Sequence, residues 1–230
     1  MNLNEELQSE VVKILKFKWD ERNGQKVPSS EDLRLGNDAV KLDGTVLYAD
    51  LDASTNLVDE YKPFFAAEIY KSYLYCAAKI IKSEGGVITS YDGDRIMAVF
   101  IGDFKNTSAT RTALKINYAV NNIINPAIEK QYENGYKIRQ VVGIDTSPLF
   151  AARTGVRGSN DIVWVGRAAN YAAKLTSLSS DYASRMTESV YKKIHDSVKY
   201  SNDRDLIWEK VTWNTMGKMT IYRSSWWWTF

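Results

Sequence analysis

Residues 46–55 read Val-Leu-Tyr-Ala-Asp-Leu-Asp-Ala-Ser-Thr. An apolar strand can end on two carboxylates only where that end meets water, a cation or a helix N-terminus. Period-two alternation puts Val46, Tyr48, Asp50 and Asp52 on one face and Leu47, Ala49 and Leu51 on the other. Carboxylates facing away from a buried side are well placed to hold a hard cation through oxygen. For either Asp alone, capping the helix that follows explains it equally well.

A second stretch narrows the choice. Residues 85–100, Gly-Gly-Val-Ile-Thr-Ser-Tyr-Asp-Gly-Asp-Arg-Ile-Met-Ala-Val-Phe, set two β-rich runs around Asp92-Gly93, a strong hairpin signal. A turn on that dipeptide makes Asp94 the first residue of the returning strand, opposite Tyr91, with Arg95 across from Ser90.

Taken together, these stretches resemble the two metal motifs of class III nucleotidyl cyclases. Residues 143–147, Gly-Ile-Asp-Thr-Ser, resemble the family's next strand and turn. Residues 165–175, Val-Gly-Arg-Ala-Ala-Asn-Tyr-Ala-Ala-Lys-Leu, resemble the helix that carries its transition-state residues. The four motifs fall in the family's order over roughly residues 43–223, and the short chain most resembles the pyrimidine cyclases of Pycsar anti-phage systems.

The order of elements suits an α+β antiparallel sheet. The resemblance implies a ferredoxin-like core with helices on one face, paired head to tail as a homodimer with shared active sites. Residues 1–43 read as an N-terminal helix and polar connector, and 44–230 as the catalytic domain with C-terminal strands and a Trp-rich tail. Residues 4–19 carry Leu7, Val11, Ile14, Leu15 and Phe17 at helical spacing, which predicts a helix packed on the domain or on a second subunit. A membrane-surface helix is the sharper alternative, opposed by Glu5, Glu6 and Glu10. Residues 63–82 predict a long helix with Phe64, Ala67, Tyr70, Leu74, Ala77, Ile80 and Ile81 inward. Another helix is expected over 108–132, strands over 138–145, 149–153 and 162–165, and two more strands around Gly217. Contiguous Trp226, Trp227 and Trp228 predict burial in a dimer or against a partner ahead of base stacking.

Several function classes are disfavoured. A net charge of +2 argues for neither nucleic acid nor membrane binding. The single cysteine, Cys76, excludes an intrachain disulfide and sits in a helical apolar pattern. The single histidine, His195, has no Cys or His neighbour, which disfavours a zinc site or a Ser–His–Asp triad. With no secretory signal and no apolar run of about 18–20 residues, the chain reads as soluble and cytoplasmic.

The resemblance implies that the ribose 3′-hydroxyl of a nucleoside triphosphate attacks the α-phosphate, assisted by two divalent cations, Mn2+ or Mg2+. It makes Asp50 and Asp94 the metal ligands, adds the Leu51 carbonyl, and leaves Asp52 as a supporting group. Asn170 matches the family's ribose-orienting asparagine, and Lys174 stands where a transition-state arginine is usual. Four residues apart on one helix, they share a face. An ammonium lacks the bidentate fork of a guanidinium, and Arg167 or Arg153 offers one nearby.

The purine-reading positions correspond to Ser90 and Val163, neither of which matches the pairing expected for adenine or guanine, and Tyr48 narrows the pocket toward a pyrimidine. Arg95 offers only donors, which suits O4 of uracil over the amino group of cytosine. The resulting expectation is a cyclase making cUMP from UTP for phage defence, read by a separate cyclic-nucleotide-activated effector. CTP, then ATP, are the alternative substrates. A cyclase-like module that binds nucleotide without turnover also stands, and a metal-dependent nuclease or polymerase palm is weakened by the lack of a basic face.

Overall fold

A computed structural model describes residues 2–230. Nine strands form one sheet in the order β3-β4-β2-β5-β7-β9-β8, with β1 added to β2 and β6 added to β5. The strands are β1 (Asp20–Asn23), β2 (Asp38–Leu51), β3 (Val87–Asp92), β4 (Arg95–Phe100), β5 (Gln140–Val156), β6 (Ser159–Val165), β7 (Ser184–Thr187), β8 (Glu209–Trp213) and β9 (Met219–Ser224). All neighbours are antiparallel except β1 with β2 and β5 with β7.

β2 carries the expected alternation. Leu47, Ala49 and Leu51 enter the larger core with helices α3 (Pro63–Ser83) and α4 (Lys105–Ala119). Val46 and Tyr48 enter a second core with Met97, Val99 and helix α6 (Arg167–Thr176). The long helices therefore share one face, as expected, while the shorter α6 covers part of the other. Gly143 is what lets α6 approach: a Cβ there would lie 2.1 Å from the Ala172 carbonyl oxygen.

Several boundaries differ from the sequence expectation, each for a local reason. The connector over 20–43 joins the fold, because β1 pairs with the start of β2 and Val27 and Leu33 are buried in the second core. Helix α3 buries Phe65, Ala66, Ile69 and Tyr73 in its first half, while Phe64 and Ala67 face solvent. Nearly every residue of that half is apolar or aromatic, so spacing alone leaves its phase ambiguous. The helix over 108–132 is α4, a π turn at Val120–Ile124, and α5 (Asn125–Tyr132). Pro126 lacks an N–H for a regular helical bond, and the π turn precedes it. The strands expected over 138–145 and 149–153 are one strand, β5.

Helix α1 (Leu3–Lys16) buries no residue on this chain and is held by Asn37 Nδ2, which donates to the carbonyls of Ile14 at 2.9 Å and Phe17 at 2.7 Å. Its leucines and valines remain exposed, so packing on its own domain is ruled out for this helix. Helix α2 (Ser54–Glu60) follows β2, and α7 (Glu188–Tyr191) follows β7. Among the described residues no helix is long and apolar enough to cross a membrane.

Candidate active site

Asp50 ends β2 between two strands, opposite Arg95 of β4 and Val141 of β5. It is half-buried, and its carboxyl is pushed up to about 6 by burial first and then by the negative charge of Asp94. Arg95, with Nε 4.0 Å from Asp50 Oδ2, and the Thr176 hydroxyl at 3.2 Å oppose that shift. Two like charges close enough to repel form a site that a hard cation relieves.

Among the described residues no group of three or more His, Cys, Asp or Glu side chains could hold a metal. Asp50 and Asp94 are thus a two-carboxylate pair, and further oxygen ligands have to come from backbone or substrate. Asp52 is exposed and adds a smaller repulsion to Asp50. Leu51 is buried by its side chain in the helix-side core.

The hairpin differs by one residue from its expected register. Asp92 pairs with Arg95, so the two turn residues are Gly93 and Asp94, and Tyr91 faces Ile96. Gly93 has φ +61, which suits a two-residue turn with glycine at its first central position. Asp94 therefore stands on the turn itself, beside the end of β2.

The same register moves Arg95 away from Ser90. Arg95 Nη2 donates to Asp92 Oδ2 at 2.9 Å, and its Nε lies near Asp50. Its donors face carboxylates, so the expected role at a base edge loses its geometric ground. Ser90 instead faces Met97 after an irregularity between Ile88 and Ser90, and Met97 faces Tyr48. Tyr48, Met97 and Ser90 thus form one row across three strands. Val163 lies outside that row, exposed on β6 beside Ala152, while Ile162 and Trp164 turn toward the second core.

Helix α6 presents Asn170 and Lys174 to solvent while Ala168, Ala169, Ala172 and Leu175 are buried. Lys174 Nζ approaches Met216 Sδ at 3.8 Å. Among the described residues neither Asn170 nor Lys174 makes a hydrogen bond or ion pair with Asp50 or Asp94.

Two residues escaped the sequence reading of the site. Thr176, at the end of α6, reaches Asp50 as described. Asp145 is fully buried on β5; Arg167 Nη2 donates to its Oδ1 at 3.1 Å and to the Thr146 carbonyl at 2.9 Å, and the Thr187 hydroxyl also donates to Oδ1. Burial pushes the Asp145 carboxyl up despite these partners. This pair ties the start of α6 to the sheet. Arg153 bonds Asn160 and the Leu33 carbonyl, a structural engagement.

A strand-end carboxylate pair on such a sheet, with a helix nearby that carries an exposed Asn-x-x-x-Lys stripe, is the arrangement of a nucleotide cyclase domain. Residues 40–222 match the adenylate and guanylate cyclase catalytic domain, and the chain belongs to that family. It is 56% identical to a uridylate cyclase of Xanthomonas perforans, over 99% of both chains. It is 52% identical to a uridylate cyclase of Burkholderia cepacia, over the whole of both. A solved guanylyl cyclase superposes with TM-score 0.66 at 16% identity, covering 80% of this chain and 92% of that one.

Proposed function

We propose that this chain is a homodimeric uridylate cyclase, converting UTP to 3′,5′-cyclic UMP and pyrophosphate. One observation carries the reading: full-length identity of 56% to a protein named uridylate cyclase, in a chain that keeps the carboxylate pair. The choice of UTP rests on that likeness and on the Tyr48–Met97–Ser90 row, where Ser90 is not the residue the family uses to read a purine and Tyr48 narrows the space toward a pyrimidine. It does not rest on Arg95.

Asp50 and Asp94, with the Leu51 carbonyl, would hold divalent cations, Mn2+ or Mg2+, together with oxygens of the substrate. When bound, such cations acidify the attacking hydroxyl and offset charge on the phosphates. The 3′-oxygen bonds to the α-phosphorus as the bond to the β-phosphate oxygen breaks; pyrophosphate departs and the hydroxyl proton passes to water. Asn170 orients the ribose. Lys174 places a positive charge on the α-phosphate oxygens as charge develops there. Arg167 is anchored to Asp145 and steadies the start of α6, while Asp52, on the exposed side, adds negative charge beside Asp50 that a bound cation would offset.

Asn170 and Lys174 are out of contact with the carboxylates of their own chain, which supports a site shared between two copies arranged head to tail. We further read the product as a second messenger made in the cytoplasm for anti-phage defence and sensed by a separate effector, a role that rests on the resemblance to Pycsar cyclases.

The test is to incubate purified protein with ATP, GTP, CTP or UTP and manganese, and to identify products by mass. Cyclic UMP as the main product is expected. Cyclic CMP would keep the mechanism and overturn the base assignment, and no turnover by a confirmed dimer would leave a nucleotide-binding module.

A further inference from the structure

Helix α1 carries an apolar stripe that nothing on this chain covers. Leu3, Leu7, Val11, Ile14 and Leu15 fall within roughly 120° of the helix circumference, and each is about half exposed or more. The hydrogen bonds from α1 to the rest of the fold lie at its C-terminal end, where Asn37 holds the Ile14 and Phe17 carbonyls.

The ends of the helix are stabilised locally. Asn2 and Glu5 form a reciprocal capping box, and Glu5 and Glu6 near the start with Lys13 and Lys16 near the end suit the helix dipole. Those devices do not account for five large apolar side chains on one side. A helix of 14 residues with no packed face is marginal in water, because nucleation is costly and burial of an apolar face supplies most helical stability in proteins. The stripe therefore calls for a cover.

The charges indicate which cover fits. Glu5, Glu6 and Glu10 lie in the first half of the segment, and Lys13, Lys16 and Lys18 in the second. Two such helices laid parallel set carboxylates against carboxylates and ammoniums against ammoniums. Laid antiparallel, each acidic half meets the basic half of the other. An antiparallel pair is also two-fold symmetric, so it closes on itself. A lipid surface fits less well, since an interfacial helix concentrates Lys and Arg on its polar face and here the two signs balance.

We propose that α1 is a self-association helix whose stripe packs antiparallel against α1 of a second copy of this chain. In that arrangement Leu3 of one copy comes to the C-terminal end of the other helix. Apolar footing continues there: Trp19 packs edge-on against Phe150 with ring centroids 5.0 Å apart, and Phe150 pairs with Val165, which is exposed on β6. The contact uses none of the active-site residues, so it stands apart from the pairing that would share the active site.

The experiment uses the full chain with Cys76→Ala as background, which removes its single native cysteine. An antiparallel pair brings Asn4 of one copy beside Leu15 of the other, while the two Asn4 positions stand about 16 Å apart along the axis. With a short bismaleimide, a mixture of Asn4→Cys and Leu15→Cys chains should give a two-chain product at several times the yield of either chain alone. Leu7→Glu, at a position 56% exposed, should leave the melting temperature unchanged. Added to both chains it should abolish the cross-link, and in sedimentation it should raise the concentration of half-dissociation at least about tenfold, because pairing would bury its charge. No cross-link in the mixture, or one that survives Leu7→Glu, overturns the proposal. Equal cross-linking by Asn4→Cys alone would make the pairing parallel and also overturn it. Cosedimentation with phosphatidylserine vesicles in place of cross-linking would assign the stripe to a lipid surface, with the same consequence.

Discussion

Thr176 Oγ1 lies 3.2 Å from Asp50 Oδ2 and 2.8 Å from the Ala173 carbonyl oxygen, so one hydroxyl joins the last turn of α6 to the strand end that carries Asp50, the proposed metal ligand. Partners of this kind orient a ligating carboxylate. Thr176→Val keeps the side-chain volume and removes the hydroxyl. It should weaken manganese binding to the nucleotide-free protein about tenfold and lower kcat by a similar factor. Unchanged manganese affinity by calorimetry would remove Thr176 from the site.

The raised carboxyl of Asp50 makes a prediction about metal-free stability. In the unfolded chain it titrates near its ordinary 3.8, and in the fold at about 6. Ionisation of the folded form is therefore unfavourable. The penalty is absent below about pH 4, grows through the window up to about pH 6, and is complete above it, at most about 3 kcal/mol. In EDTA, Asp50→Asn should raise the melting temperature at pH 8 and leave it unchanged at pH 4. Equal gains at both pH values would assign the effect to something other than charge.

A site shared between two copies, with the carboxylates from one and Asn170 and Lys174 from the other, can be tested by mixing. Asp50→Ala and Asn170→Ala should each lower activity about a thousandfold without unfolding the chain. Co-expressed in equal amounts, they should recover about a quarter of the parent rate, since half of the dimers are mixed and each carries one intact site. No recovery in mixed dimers would place all the groups of a site on one chain.

Lys174 is exposed and, among the described residues, its ammonium makes no ion pair and has Met216 Sδ as its one polar partner. Its loss should therefore cost catalysis and not stability. Lys174→Ala should lower kcat about a hundredfold with little change in KM, and Lys174→Arg should retain most of the rate. A change confined to KM would make Lys174 a ground-state binding group.

The Asp145–Arg167 pair should matter first for folding. Arg167→Ala leaves a fully buried carboxylate with fewer donors, and a destabilisation of about 1–3 kcal/mol is expected by urea denaturation. Asp145→Asn in the same background should restore part of it, because the orphaned charge is then gone.

What the sequence by itself determined is local. Alternation along 46–51 set which side of β2 carries Asp50, because side chains of a strand alternate whatever the rest of the chain does. Four-residue spacing put Asn170 and Lys174 on one helix face for the same kind of reason. Tertiary structure decided what local geometry leaves open. Asp92-Gly93-Asp94 allows two turn registers one residue apart, and pairing with β2 selected the one that sets Arg95 beside Asp50 and away from Ser90. In α3, residues 63–70 offer apolar side chains around much of the helix, and contact with the sheet chose Phe65, Ala66 and Ile69 over Phe64 and Ala67. Thr176 carries no sequence signature at all. Its contact arises because α6 packs over Gly143, so that residues far apart in the chain meet at Asp50.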